Sequence, residues 1–217
     1  MNKTRLEAFT DAVIAIVITV LVLELVAPES GSVAALWDLR YRFLVYLVSF
    51  LTLAIYWNNH HHLFQISRHV SGGVLWCNIV LLLFLSLFPF TTAWVNDHLL
   101  DRAPELLYGL TMLCADIVWL VMAKALVKEN GHNSEVAKAL KGFGKSYLSI
   151  ATIAVGLLVG WFLPPATIVL CVASLAPWVV PDRRIERMLH EGTARAEGAA
   201  HEGGMRTQGP DKADKDG

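Results

Sequence analysis

Charged side chains are scarce in this chain of 217 residues, because lysine, arginine, aspartate and glutamate together make up only 17% of it. Soluble globular domains carry about 25% of these residues. Hydrophobic residues account for 55% of the chain, so the balance excludes an ordinary soluble domain and predicts a membrane protein. The formal net charge of -1 favours no class of partner by itself, and we expect no nucleic-acid partner.

Cysteine is also rare, and Cys77, Cys114 and Cys171 stand apart inside apolar segments without paired spacing. Isolated cysteines of this kind are typical of small buried hydrophobic residues and not of a disulfide or metal framework. Three successive histidines occupy positions 60–62. On a helix they project about 100° apart and cannot ligate one ion together. The sequence therefore predicts no metal site and no cofactor.

Catalytic constellations are missing as well. The chain has no nucleophile elbow, no acids paired at catalytic spacing and no glycine-rich cofactor loop. These absences predict that the chain is not an enzyme.

Long apolar runs are what the chain does have, and six can be counted, at about 4–27, 42–64, 74–96, 104–127, 147–163 and 166–181. A short amphipathic piece around Trp37 precedes the second run. Pro89 should kink the third run, and Pro104 suits the first turn of the fourth helix. Only Pro164 and Pro165 join the last two runs, which predicts a tight helical hairpin. We expect an all-α membrane protein with six transmembrane helices.

The basic residues are distributed unevenly along these segments. With a cytoplasmic N terminus, the inside collects Lys3, Arg5, Arg68, the lysines of a basic loop within 124–145 and the arginines within 183–187. The outside keeps Arg40, Arg42 and Arg102. This asymmetry obeys the positive-inside rule, so we expect a multi-pass protein of the cell membrane with both termini cytoplasmic.

Composition changes sharply near the C terminus. Residues 188–217 are mainly glycine, alanine and charged residues, which cannot bury enough apolar surface to fold. We therefore predict a transmembrane domain at 1–187 and a disordered cytoplasmic tail at 188–217. Within the domain, Gly156 and Gly160 form a G-x-x-x-G pattern that predicts close helix packing, within one subunit or between subunits.

The first apolar segment contains an aspartate within its length. An ionisable group inside a membrane marks a functional-site hypothesis, because it costs several kcal/mol unless it is paired or wet. At about 3.6 residues per turn, one helix face collects Ala12, Ile16, Thr19 and Leu23, with Val20 at its margin. Asp11 points nearly the opposite way. One face is thus an apolar stripe with a single hydroxyl, and the other carries a charge that needs partners in its own subunit.

These features also have purely structural explanations. A membrane-helix threonine most often returns its hydroxyl to the carbonyl four residues back, here that of Ala15, and an apolar stripe is usually a packing seam. We expect one histidine of 60–62 to face the interior and bond a buried acid, and the others to meet headgroups and water. The second helix ends where the first begins, so Asp11, these histidines and Asn78 should lie at similar depth.

The first helix resembles a known signature. Its pattern is Arg5-x-x-x-Phe9-Thr10-Asp11-Ala12-Val13-x-Ala15-Ile16-x-x-Thr19-x-Leu21-Val22-Leu23-Glu24. It is similar to that of the bacterial relatives of the lysosomal potassium channel, transmembrane protein 175. Two further stretches agree, at 57–64 and at Asn78 with 87–91, so the resemblance covers roughly the first 95 residues. One departure is Thr10, where the family usually has serine, and this exchange keeps the hydroxyl.

The resemblance implies a homotetramer of six-helix subunits in which each first helix lines a central cation pore. It implies no carbonyl filter, and this chain has no Thr-Val-Gly-Tyr-Gly loop. Carried over by position, Ile16 would form the hydrophobic constriction, Thr19 a hydroxyl ring and Leu23 a further apolar ring. Ala12 and Val20 would also line the pore. A polar network would lie behind it, formed by Arg5, Phe9, Thr10, Asp11, His60 and Asn78.

These implications predict a potassium-permeable channel of modest selectivity that conducts potassium and other monovalent cations through a lipid bilayer. An alternative is a proton- or cation-coupled transporter that uses Asp11 and the helix-two histidines. A third reading is a non-conducting scaffold or enzyme subunit. A transporter should show repeats or broken helices at the membrane midplane, whereas these polar groups lie towards one end. A scaffold leaves Asp11 unexplained.

Overall fold

The computed structural model of the protein describes residues 3–140 and 143–179, and every regular element that lies wholly within these ranges is an α-helix. The predicted all-α fold is confirmed there. The helices are α1 Lys3–Leu23, α2 Val33–Asp38, α3 Arg40–Ile66, α4 Gly72–Leu85, α5 Phe88–Asp97, α6 Arg102–Asn130, α7 Glu135–Leu140, α8 Gly144–Gly160 and α9 Ala166–Val179. The predicted domain end at 187 and the predicted tail at 188–217 lie outside the described residues.

Several of these helices have the length and composition of membrane spans. By these two criteria α1, the combined stretch Gly72–Asp97 and α6 can cross a membrane, and α8 and α9 are shorter apolar helices. Although α3 has 27 residues, it is less apolar because Asn58, Asn59 and the three histidines lie in its C-terminal half. The number of six membrane spans stays a prediction.

The third apolar segment is interrupted just before Pro89. α4 and α5 end and begin on either side of a turn at Ser86 and Leu87. Proline supplies no N–H to a helix and clashes with the preceding turn. The Ser86 hydroxyl donates to a carbonyl three residues back at 2.8 Å, and the Thr91 hydroxyl lies 3.2 Å from the carbonyls of Leu87 and Phe88. The predicted kink is confirmed, with hydroxyl groups bonded to the backbone around it.

Two predictions were wrong, one about the end of the first helix and one about the basic loop. The first helix ends at Leu23 and not near residue 27, since the Glu24 N–H already bonds the Leu21 carbonyl three residues back in a tightened last turn. The stretch predicted as a basic loop contains α7, which buries Val136 and Ala139. These two residues are three positions apart and share one helix face, which the surrounding lysines concealed.

The predicted hairpin of the last two helices is confirmed, and glycines hold it together. A Cβ atom at Gly160 would collide with the Thr167 side chain, and one at Gly156 would lie 3.0 Å from the Leu170 Cβ. The G-x-x-x-G pattern therefore packs α8 against α9 within one subunit. Helix α6 lies at the centre of the fold, where it packs against α4, α5, α8 and α9. The three cysteines are free, and Cys171 is buried whereas Cys77 and Cys114 are partly exposed.

Helix α1 packs against α3, α4 and α5. At its start, the Lys3 ammonium donates to the carbonyls of Gln65 and Ser67, at 3.3 and 2.9 Å. The beginning of α1 therefore lies beside the end of α3, so the two helices run antiparallel. This arrangement brings the Asp11 end of α1 to the level of the histidine run, as the sequence predicts.

Candidate functional site

The two sides of α1 have opposite environments. Its buried residues recur every three or four positions and are Leu6, Thr10, Ile14, Val17 and Leu21. This spacing is that of a single helix face. The face packs into the subunit, so its residues fix the rotation of α1 about its own axis.

All five residues that were predicted to line a pore lie on the exposed side of α1. Ile16 is 61% exposed, Leu23 77% and Val20 38%, and the side chains of Ala12 and Thr19 are exposed too. Phe9, at 54% exposure, continues the row towards the N terminus. We define the α1 stripe as Phe9, Ala12, Ile16, Thr19 and Leu23, with Val20 at its margin. Its alternating spacing of three and four is that of a seam between parallel helices, and the described residues of the subunit leave it uncovered.

Thr19 is the one hydroxyl of the α1 stripe. Its Oγ1 donates to the Ile16 carbonyl at 2.7 Å, three residues back, so the expected bond to the Ala15 carbonyl is replaced by this one. The hydroxyl hydrogen is occupied by the backbone. Lone pairs of the oxygen remain on the exposed side, where they can accept a hydrogen bond or contact a cation.

Three buried side chains join α1 to α3 and α4. Asn78 Nδ2 donates to Thr10 Oγ1 at 2.8 Å, and Asn78 Oδ1 lies 2.9 Å from His60 Nε2. Because a carboxamide oxygen only accepts hydrogen bonds, the ring proton of His60 lies on Nε2. We call this chain of His60, Asn78 and Thr10 the α1 anchor. The interior histidine was expected to bond a buried acid, and that was wrong, because its partner is the amide of Asn78.

Asp11 lies beside the α1 anchor and has a different partner. Trp57 Nε1 donates to the Asp11 carboxylate at 2.9 Å. Asp11 is half-buried and lines an open groove of about 400 Å³ between α1 and α3, together with Lys3, Glu7 and His61. The carboxylate is thus paired with an indole and also reached by solvent, which are the two conditions that stabilise an acid near a membrane.

The predicted polar network is assembled only in part. The structure brings Thr10, His60 and Asn78 together and places Asp11 next to them. Arg5 is exposed and forms no hydrogen bond or ion pair with other described residues, and Phe9 lies on the α1 stripe. The function of these residues as one network stays a prediction.

The histidine run is divided between different environments. His60 is buried in the α1 anchor and its ring stacks on Phe64 with centroids 4.2 Å apart. His61 faces the groove, where it accepts from the Gln65 amide at 2.9 Å and stacks on Trp57. Within the described ranges, no three side chains of the histidine, cysteine, aspartate or glutamate type are arranged to hold a metal ion.

A second polar cluster was missed by sequence reasoning. The hydroxyls of Tyr56 and Ser149 donate to the two carboxylate oxygens of Asp116, joining α3, α6 and α8. Glu105 is a further buried acid in α6. The sequence contains a signal for this cluster, namely an acidic residue inside the fourth apolar segment. The rule that singles out Asp11 applies equally to such a residue.

Comparison with known proteins places this geometry in a family. The model of the family described as endosomal/lysosomal potassium channel TMEM175 matches residues 5–89, which contain most of α1, the α1 anchor and Trp57. A potassium channel of a Chryseobacterium species is 40% identical over 191 residues, covering 88% of this chain and 100% of that protein. A zebrafish endosomal/lysosomal proton channel is 26% identical over 133 residues, covering 58% of this chain and 24% of that protein.

A solved structure agrees with these sequence relatives. The crystal structure of a lysosomal potassium-selective channel TMEM175 homolog from Chamaesiphon minutus matches with a TM-score of 0.64 and 27% identity. The match covers 82% of this chain and 98% of that one. The matched proteins are described as channels and not as enzymes. The chain belongs to the TMEM175 family of membrane channels.

Proposed function

We propose that the chain is a subunit of a homotetrameric cation channel whose pore is lined by α1. The channel passes potassium and other monovalent cations with modest selectivity. The observation that carries the proposal is the α1 stripe, a row of exposed residues on a helix whose opposite face is bonded into its own subunit. The relatives from Chryseobacterium and Chamaesiphon are described as potassium channels, which supports the same ion.

Four copies of the α1 stripe would enclose a narrow lumen with a mainly apolar wall. Ile16 is the largest side chain near the middle of the row and is 61% exposed, so a ring of four would form the constriction. Leu23 would form a second apolar ring. An apolar ring can gate by dewetting, which stops conduction without complete steric closure.

Thr19 would supply the only polar ring of this wall. Its hydrogen is bonded to the Ile16 carbonyl, so it presents oxygen lone pairs to the lumen. Such oxygens coordinate an ion weakly and do not replace its hydration shell. Potassium holds its water less tightly than sodium, so it loses less on entry. A modest preference for potassium then follows without a carbonyl filter.

The α1 anchor would keep this wall in position. Successive residues of a helix point about 100° apart, so a rotation of α1 by this angle would replace Ile16 in the lumen by a neighbouring residue. The bonds from Thr10 to Asn78 and from Asp11 to Trp57 oppose such rotation, because both hold the side of α1 that faces the subunit.

The transporter alternative places its coupling site at Asp11 and the histidines. Asp11 and His60 have separate partners, the Trp57 indole and the Asn78 amide, and they share no hydrogen bond in the described structure. This separation favours the channel over a transporter whose acid and histidine exchange one proton directly.

Unitary current decides between these two functions. Purified protein in a planar bilayer should give step-like currents, and its reversal potential between potassium and sodium solutions should show a modest preference for potassium. Native mass measurement of the same sample should give four chains. Ion uptake into vesicles without current steps would support a transporter. Current steps from a sample whose only oligomer has a number of chains other than four would contradict the tetramer.

The orientation in the cell membrane has its own test. In a background without the three native cysteines, Ser30→Cys should react with an impermeant thiol reagent from outside and Ser134→Cys only after the membrane is opened. Ser30 is exposed between α1 and α2, and Ser134 lies just before α7. Ser174→Cys, at a buried position, serves as the unreactive control. Labelling of Ser134→Cys in intact cells would contradict cytoplasmic termini.

A further inference from the structure

Asp116 is a buried acid halfway along the longest helix of the described structure. It is the central residue of α6, roughly 21 Å along the axis from each helix end at 1.5 Å per residue. The side chain is 6% exposed and accepts from the Tyr56 and Ser149 hydroxyls. None of the groups that bond it belongs to α1, so this cluster is distinct from the α1 stripe and from the α1 anchor.

No positive charge balances this carboxylate in the described structure. The ion pairs formed by the described residues do not include Asp116. The titratable groups that face it are Tyr56 from α3 and Cys171 from α9, and α8 contributes Ser149, which does not titrate. A buried carboxylate without a cation costs several kcal/mol, whereas a bound proton removes the charge altogether.

A small cavity adjoins the carboxyl group. It measures about 20 Å³ and is lined by Asp116, Tyr56, Asn59, Trp119 and Ser149, among others. This volume holds one water molecule when two or more polar groups are available to bond it. Trp119 supplies one such group, because its Nε1–H is buried without an acceptor among the described residues. The cavity therefore has the size, the unpaired donor and the acidic acceptor that a bound water requires.

We propose that Asp116 and this cavity form a proton-binding site with one bound water inside each subunit, away from the α1 stripe. A hydronium ion in the cavity transfers its proton to a carboxylate oxygen of Asp116 and remains there as water. The new carboxyl O–H donates to the Ser149 oxygen. The Ser149 hydroxyl hydrogen then turns to the water, which also accepts from Trp119. Atoms and charge balance, because hydronium and carboxylate, with charges of opposite sign, become a neutral water and a neutral carboxyl group.

Infrared spectroscopy of the protein in lipid vesicles at neutral pH tests the proposal. The parent should show a protonated-carboxyl band that Asp116→Asn abolishes, and the band should shift in heavy water. Glu105→Gln removes the other buried acid of α6 and serves as a matched control that leaves the Asp116 band in place. Loss of a carboxylate band in Asp116→Asn, with the protonated-carboxyl region unchanged, would overturn the proposal.

If Asp116→Asn does not fold, a second set of variants that retain Asp116 still tests the proposal. Tyr56→Phe and Ser149→Ala each remove one hydroxyl from the carboxyl group, so each should shift the protonated-carboxyl band without abolishing it. Ser146→Ala is the control, because Ser146 is buried on the same helix as Ser149 but does not bond Asp116. A protonated-carboxyl region that is identical in all three variants and the parent contradicts a proton on Asp116.

Discussion

The two faces of α1 use their threonines differently. On the buried face, Thr10 accepts from Asn78 of another helix, so the bond joins two elements. On the exposed face, Thr19 donates to the carbonyl of Ile16 in its own helix, so this bond connects α1 to no other helix. The contrast shows that the subunit bonds the buried face of α1 to another helix, whereas the described residues leave the stripe face uncovered. Under the proposed function, that uncovered face meets the lumen and the other copies.

The largest effect is expected on the buried face. Asn78→Ala leaves both the Thr10 hydroxyl and the His60 ring proton without their partner, and each unpaired buried group costs about 1–3 kcal/mol. We expect a loss of about 3 kcal/mol in the free energy of unfolding, seen as a lower melting temperature in detergent. Val80→Ala, at an exposed position of the same helix, is the control. Equal melting temperatures of the two variants would mean that the α1 anchor does not stabilise the fold.

A smaller effect is expected at Asp11. Removing one partner of a fully buried ion pair lowers the free energy of unfolding by several kcal/mol. Asp11, however, opens onto a groove, where solvent screens its bond to Trp57. A double-mutant cycle of Asp11→Ala and Trp57→Phe should give a coupling free energy of about 1 kcal/mol. Strictly additive effects on the melting temperature would show that the indole and the carboxylate do not interact.

The smallest effect on stability is expected at Thr19. Thr19→Val should change the free energy of unfolding by less than about 0.5 kcal/mol, because the lost bond is exposed and local. Potassium-over-sodium preference should fall, as measured by reversal potentials with the two ions on opposite sides. Thr152→Val is the matched control, since Thr152 also bonds its own backbone, at Leu148. Unchanged reversal potentials in Thr19→Val would show that the hydroxyl serves only its helix.

The sequence was sufficient to separate the faces of α1, because helical periodicity alone fixes which side chains share a side. It also placed Asp11, His60 and Asn78 at one depth, since neighbouring helices in a hairpin run antiparallel. It did not identify their bonds. Depth does not specify how each helix is rotated, and rotation decides that His60 meets Asn78 while Asp11 meets Trp57.

Tertiary contacts explain what else was missed. The buried residues of α7 are Val136 and Ala139, with Ala137 and Leu140 partly buried beside them. An apolar face this short does not stand out among lysines before the core that covers it is known. The Asp116 cluster draws Tyr56 and Ser149 from helices far apart in the chain. No local pattern links these residues, so only the packing of α3, α6 and α8 reveals them.

The central claim is that the exposed face of α1 lines the pore, and the unitary current of Ile16→Asn tests it most directly. An asparagine ring should wet the constriction and raise the current above that of the parent. Val22→Asn introduces the same side chain at an exposed position of α1 outside the stripe and should leave the current unchanged. If Ile16→Asn incorporates normally and passes no more current than the parent, the pore lies on another helix.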